Sequence, residues 1–179
     1  MDKSVFKTLS EINCNEWADE KNGLKYMPWA WAWSKVKEHY PLAYYTIYEA
    51  DGGRPYFTDG RTCWVKTGVT IEGLEHVEYL PVMDYRNQSI SADKITSMDM
   101  NKAIQRSLTK ACARHGLGLY IYAGEDVPEA VYDKIDEAVN TDQLVAMVKE
   151  LEQSNGGVAS DKVKAAARKK YNELKQVNG

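Results

Sequence analysis

No run of apolar residues in this sequence is long enough to cross a bilayer. The opening residues, Met1-Asp2-Lys3-Ser4-Val5-Phe6-Lys7, lack the apolar stretch of a secretory leader. These two absences predict a cytoplasmic protein with no membrane partner. Cysteine is scarce: Cys14, Cys63 and Cys112 are odd in number, far apart and without zinc spacing. Reduced, buried thiols are expected. His39, His76 and His115 show no ligand spacing, and no Ser or Cys has an evident base. No GxxxxGK[ST] loop is present, so there is no recognisable engine for nucleotide hydrolysis. Neither cofactor nor metal is expected. Internal repeats and low-complexity tracts are also missing. Phenylalanine is nearly so, at two residues against five Trp and twelve Tyr.

What is present is enough hydrophobic sequence for a real core, 44% of 179 residues. That length predicts one domain plus an appendage, or two small domains. The net charge of −3 argues weakly against a polyanionic partner, but it hides an uneven distribution. Lys94 to Tyr122 carries five cations against Asp99 alone, and Leu151 to Gly179 carries six against three acids. Ala123 to Glu150 holds two against eight acids. Local patches decide where a polyanion docks.

Periodicity predicts the elements. Residues 1–22 read as weakly helical, ending at the turn signal Asn22-Gly23. Pro28 suits the first position of a helix that carries Trp29, Trp33, Val36 and Tyr40 on one face, which places Trp29 and Trp33 in the core. Three strands follow: 43–49, then 62–71 with Cys63, Val65, Thr67, Val69 and Ile71 on one face, then 75–82. Asp51-Gly52-Gly53 and Glu72-Gly73 turn the chain between them, giving an antiparallel meander. The loop 84–88 leads out of it. Thr96 and Asp99 have capping-box spacing for a helix over 97–115, stopped by Gly116. The short apolar stretch 117–122 reads as a last strand or a packed turn. Two further helices are predicted: 143–153, capped near Asn140 or Thr141 and broken by Asn155-Gly156-Gly157, and 161–176, capped by Ser160. The best boundary lies at 124–128, separating a core of residues 1–126 from a helical tail of 127–179.

One helix carries a chemical signal. Lys102, Arg106, Lys110 and Arg114 recur every four residues. Each step drifts by about 40° and climbs about 6 Å, so the four share an arc of about 120°. Ile104, Leu108, Ala111 and His115 cluster nearly opposite. Solvated helix faces usually mix signs, because like charges four apart repel. A cationic stripe without acids points to a polyanion. The abundance of Tyr and Trp narrows this to single strands, whose bases stack on aromatic platforms beside a basic groove. Tyr85-Arg86 in its polar loop is the best stacking or phosphate candidate, and Tyr26 and Trp31 lie near Lys25 and Lys35.

The run from Asn101 to Gly118 resembles the signature helix of phage single-strand annealing proteins. So do Tyr56-Phe57-Thr58-Asp59-Gly60-Arg61 and Tyr79-Leu80-Pro81-Val82-Met83-Asp84-Tyr85-Arg86-Asn87. Together they resemble a family close to the Sak and Erf types, within the wider Rad-fifty-two-like superfamily, and the resemblance covers residues 26–122. It implies an α+β fold in which a helix precedes the meander and the long basic helix packs across it, with a small helical C-terminal appendage. It implies homo-oligomeric rings or filaments in a phage-infected host, with single-stranded DNA in a basic groove. A phage exonuclease and the host single-strand-binding protein are the further partners it suggests. Lys110 occupies the place of a groove-lining cation, with Arg106 and Arg114 one turn to either side. The relatives also carry a cation after their Tyr-containing entry motif, and here Tyr26-Met27-Pro28-Trp29-Ala30-Trp31 has none. Lys25, Lys35 or Arg86 is left to supply it, and Lys94 extends the set.

The function expected is annealing of complementary strands without hydrolysis. A metal-dependent nuclease is the competing reading. Asp84, Asp93 and Asp99 lie near Lys94 and Lys102, and two-metal sites need clustered carboxylates. Asp99 is better used as a cap, however, and Asp84 as a turn residue. A third reading is a protein-interaction module. Its surface would be the C-terminal helix, where Val163, Ala166, Ala167 and Leu174 accompany Lys164, Arg168, Lys169 and Lys170.

Overall fold

The alternating stretch before Ile71 is the central strand of an antiparallel sheet. A computed structural model describes residues 3–21, 24–125, 127–154 and 159–177. The architecture is α+β, and the chain divides into two units: Met1–Leu9 with Met27–Leu117, and Ser10–Tyr26 with Gly118–Gly179.

In the first unit, a short helix α1 (Val5–Ser10, in this unit up to Leu9) is followed by α2 (Trp29–His39). Pro28 is the cap of α2 rather than its first residue, since its ψ of 131° is extended while its φ of −61° already suits a helix. The sheet contains β3 (Tyr44–Ile47), β4 (Phe57–Thr58), β5 (Cys63–Ile71) and β6 (Leu74–Pro81). β5 lies in the middle, paired with β6 from Trp64 to Ile71 on one side. On its other side it pairs with β4 and then β3. The two-residue strand β4 is too short to show a period and was not expected. Glu72 and Gly73 both have positive φ, 50° and 82°. That backbone matches the twist of a tight hairpin, so β5 and β6 meet in the predicted turn.

Cys63, Val65, Thr67, Val69 and Ile71 are all buried on one face of β5. Across that face runs α3 (Ser97–Arg114), packed on β5 and β6 and flanked by α2. The capping box is formed: Thr96 Oγ1 accepts from the Asp99 backbone N–H, and Asp99 accepts in return from the Thr96 N–H. Gly116, with φ of 112°, follows the last turn as predicted. The core joins Cys63, Val65, Leu80 and Val82 of the sheet segment to Met100, Ala103 and Ile104 of α3. At its centre the Thr67 and Ser107 hydroxyls meet at 2.7 Å, a buried polar pair that fixes the position of α3 along β5.

In the second unit, the helix predicted over 1–22 gives way after α1. The segment passes through a turn to a hairpin of β1 (Asp19–Lys21) and β2 (Leu24–Tyr26). Its predicted turn, Asn22-Gly23, lies outside the described residues. Asn13 Oδ1 accepts from the Asn15 N–H at 3.1 Å, and the Cys14 N–H donates to the Tyr120 hydroxyl at 2.9 Å. Side chains that capture backbone groups in this way compete with a helix. Residues 119–122 form one helical turn, α4 (Leu119–Tyr122), and no strand. The remaining helices are α5 (Glu129–Asp136), α6 (Thr141–Ser154) and α7 (Asp161–Val177). Asn140 and Ser160 cap α6 and α7 as predicted, and α5 is an addition to the sequence reading. The predicted break at Asn155-Gly156-Gly157 and residue Asp126 of the 124–128 boundary lie outside the described residues. Val131, Ile135, Leu144 and Val163 centre a core completed by Val127, Ala138 and Ala159 from the connecting segments. Cys14, Cys63 and Cys112 are buried, as expected, and form no disulfide with one another.

Candidate nucleic-acid interface

The buried face of α3 is the one the sequence assigned. Ile104 and Ala111 are buried, and Leu108 packs against the core. His115 is 1% exposed, and its Nε2 lies 2.8 Å from the Val69 carbonyl. A carbonyl can only accept, so Nε2 carries the proton. Burial holds the His115 pKa below its ordinary value.

The four cations do not end in equivalent surroundings. Lys102 and Arg106 are exposed and Lys110 is half-buried. Arg114 forms an ion pair through Nε with the carboxylate of Glu78 on β6. The cause is the same drift of about 40° per step. It turns the stripe from open solvent at Lys102 toward β6 at Arg114. The sequence shows no acid near this end of the helix, but the register of β6 places Glu78 opposite Thr67, on the face covered by α3. Glu78 raises the Arg114 pKa through hydrogen bond and charge.

The loop after β6 comes to the same stripe. Arg106 Nη2 reaches Asn87 Oδ1 at 3.4 Å. Asn87 has φ of 60°, a left-handed conformation that Asn tolerates. Asp84 shapes the loop: its Oδ1 accepts from the backbone N–H groups of Arg86 at 2.8 Å and Gln88 at 2.9 Å. The tip presents Tyr85, 71% exposed, with the Arg86 guanidinium 5.1 Å from the ring centre. Cation and ring are thus already paired, as in a stacking platform. Lys94 is exposed at the end of a short 3-10 helix, Ala92–Lys94, just before the α3 cap.

The other predicted cations have separate settings. Lys35 on α2 donates to Glu38 at 2.7 Å and lies 5.9 Å from the Trp31 ring centre. Lys25 is exposed on β2, in the second unit. Trp29 departs from the core position expected of it: it is 51% exposed. With Trp33, Tyr45, Ile47, Gln105, Leu108 and Cys112 it lines an apolar groove between α2, β3 and α3. Cys112 lies deep in that wall, where burial pushes its thiol pKa up to about 12 and keeps it unreactive.

Three residues escaped the sequence reading: Glu78, Asn87 and Lys66. The Lys66 ammonium lies 4.3 Å from the Tyr48 ring centre and 5.6 Å from that of Tyr79. Lys66, Tyr79 and Tyr48 share the sheet face away from α3, where Phe57 and Trp64 also stack. Lys66 and Tyr79 meet through the register of β5 on β6, and Tyr48 reaches them just past the end of β3, so the grouping could not be read without the pairing.

The carboxylates considered for a metal have local tasks. Asp84 orders its loop and Asp99 completes the cap. Asp93 has its pKa lowered, chiefly by a hydrogen bond from Ser91. Among the described residues, no group of three or more His, Cys, Asp or Glu side chains is placed to hold a metal ion. No helix among them is long and apolar enough to cross a membrane.

Comparison with known families settles the relationship. Residues 3–155 match the family described as Sak Single Strand Annealing Protein. The chain belongs to that family. The match takes in both the stripe on α3 and the loop at Tyr85, and it ends before α7. No curated protein and no solved structure matches the chain.

Proposed function

We propose that this Sak family member binds single-stranded DNA along α3 and anneals it to a complementary strand without hydrolysing nucleotide. The observation that carries the reading is the contact from Arg106 to Asn87, which joins the cationic stripe to the Tyr85-Arg86 tip. Lys102, Arg106 and Lys110 hold phosphates, Lys94 extends the track, and Tyr85 with Arg86 receives a base or a phosphate. Lys25 and Lys35 are secondary contacts, and Arg114 joins only when it leaves Glu78. Base pairing then supplies both the driving force and the specificity of annealing. Residues 1–126 form the binding and assembly core and 127–179 the tail. Several copies, as a ring or filament in the host cytoplasm, extend one strand over many such tracks. The exonuclease that produces the strand and the host single-strand-binding protein are the partners this role requires.

The test is Arg106→Ala with Lys110→Ala, titrated against labelled oligothymidine. Losing two phosphate contacts should make the salt dependence of log affinity shallower by about 1.4, and affinity at moderate salt about tenfold weaker. Annealing of complementary oligonucleotides should slow in parallel. Unchanged affinity with an unchanged melting profile removes α3 from the site.

A further inference from the structure

The C-terminal helix carries a second cationic face that the α3 reading does not use. Lys164, Arg168 and Lys175 lie within about 40° of arc on α7 and span about 16 Å of its axis. All three are exposed, and Lys169 flanks them. The adjoining side of the helix is held by packing: Val163 is fully buried, with Ala166, Ala167, Tyr171 and Leu174 against the same core. Two other cations of α7 are tied down within the unit. Lys162 pairs with Glu125 at 2.8 Å, and Lys170 donates to the Asp136 carbonyl. Among the described residues, none of Lys164, Arg168, Lys169 and Lys175 pairs with a carboxylate. Lys175 lies 5.0 Å from the Tyr171 ring centre, and this positions its stem while its ammonium stays in solvent.

We infer that this face of α7 binds the phosphate backbone of double-stranded DNA. The charge pattern selects the class of ligand. A folded helix fixes its cations along a straight line, and the one ring beside the row, Tyr171, is half-buried against the core with Lys175 over it, so it offers no open platform for a base. An unpaired strand is held by stacking as well as by charge, and α7 supplies only charge. A duplex presents about one charge per 1.7 Å on a stiff rod, so a rigid row of cations meets several phosphates without ordering the ligand. The inference stands apart from the α3 reading, because α7 lies beyond the residues that match the family.

The experiment uses the full chain with Lys164→Gln, Arg168→Gln and Lys175→Gln together, three exposed side chains, with a melting profile to check the fold. A labelled duplex and an oligothymidine of equal length are titrated across a salt series. Duplex affinity should fall about tenfold, with a log–log salt slope shallower by up to about 3, while oligothymidine binding changes little. Unchanged duplex affinity and slope overturn the inference. An equal loss on oligothymidine overturns the assignment to duplex. Loss of binding to polyglutamate with duplex binding intact points to an acidic protein partner and also overturns it. Arg106→Ala with Lys110→Ala is measured alongside. If that variant keeps its oligothymidine affinity, the α3 reading fails while the α7 result stands on its own.

Discussion

At the scale of single residues, the cations of α3 divide into free and engaged groups, and Glu78 draws the line. An arginine paired with a carboxylate brings no net charge to an approaching phosphate. Replacing Glu78 with Gln leaves the shape of β6 and removes the competing charge. Single-strand affinity should rise about threefold to tenfold, and the log–log salt slope should steepen by about 0.7, the value of one added phosphate contact. A fluorescence titration reads both. Weaker binding would mean that Glu78 orients Arg114 for the ligand rather than withholding it. This pairing could not be read from the sequence, because Glu78 and Arg114 are 36 positions apart and meet only through the register of β6 on β5. Four-residue spacing names the stripe, but it does not say which member meets a carboxylate.

Among the elements, those with long periods or defined ends were legible. α3 was set by its cap, its apolar face and Gly116. β5 was set by five alternating residues, and its hairpin with β6 by Glu72-Gly73. Elements of two or three residues, such as β1, β2 and β4, give no period to read. The helix expected over 1–22 failed for a related reason: Cys14 is fixed by Tyr120, a partner 106 residues away. Trp29 satisfied the helical period of α2 and still came to the surface, because periodicity gives a face and not the depth of what covers it. The cap of α3 allows a direct test. Thr96→Ala removes the acceptor of the Asp99 N–H and should cost about 1 kcal/mol in chemical denaturation. The contribution depends on pH. Hydrogen bonds from Thr96 hold the Asp99 pKa below its usual value. The stabilisation is therefore present above the ordinary carboxylate range and lost as pH falls through the lowered pKa. Variant and parent should converge in acid, and a gap that stays constant would remove Asp99 from the cap.

Across the whole molecule, pH acts at a second point. His115 joins the end of α3 to β5 through the Val69 carbonyl, and its ring meets that of His76 on β6 at 4.4 Å between centres. Burial lowers its folded pKa first, and the charge of His76 adds to this. Below the ordinary histidine pKa, about 6.5, the unfolded chain takes up a proton that the folded chain refuses. Stability should be full above that value and fall as the solution is acidified toward the lowered pKa. Thermal melting at pH 7.5 and pH 5.5 should show a drop in the parent that is reduced in His115→Gln. An equal drop in both would place the sensitivity elsewhere.

The drift of the α3 stripe has a consequence for the path of a bound strand. Residues four apart form a row inclined by about 26° to the helix axis, so the cations run obliquely across α3. On the proposed reading, a strand that follows them from Lys102 to Lys110 would slant toward β6 and reach the neutral Arg114–Glu78 pair, which offers a phosphate no net attraction. The proposed track would then be asymmetric: cationic from the capped start of the helix, neutral at its end. If copies assemble as proposed, a strand would gain little beyond Lys110 on each subunit, and the length of the row from Lys102 to Lys110 would set how much of it one subunit holds.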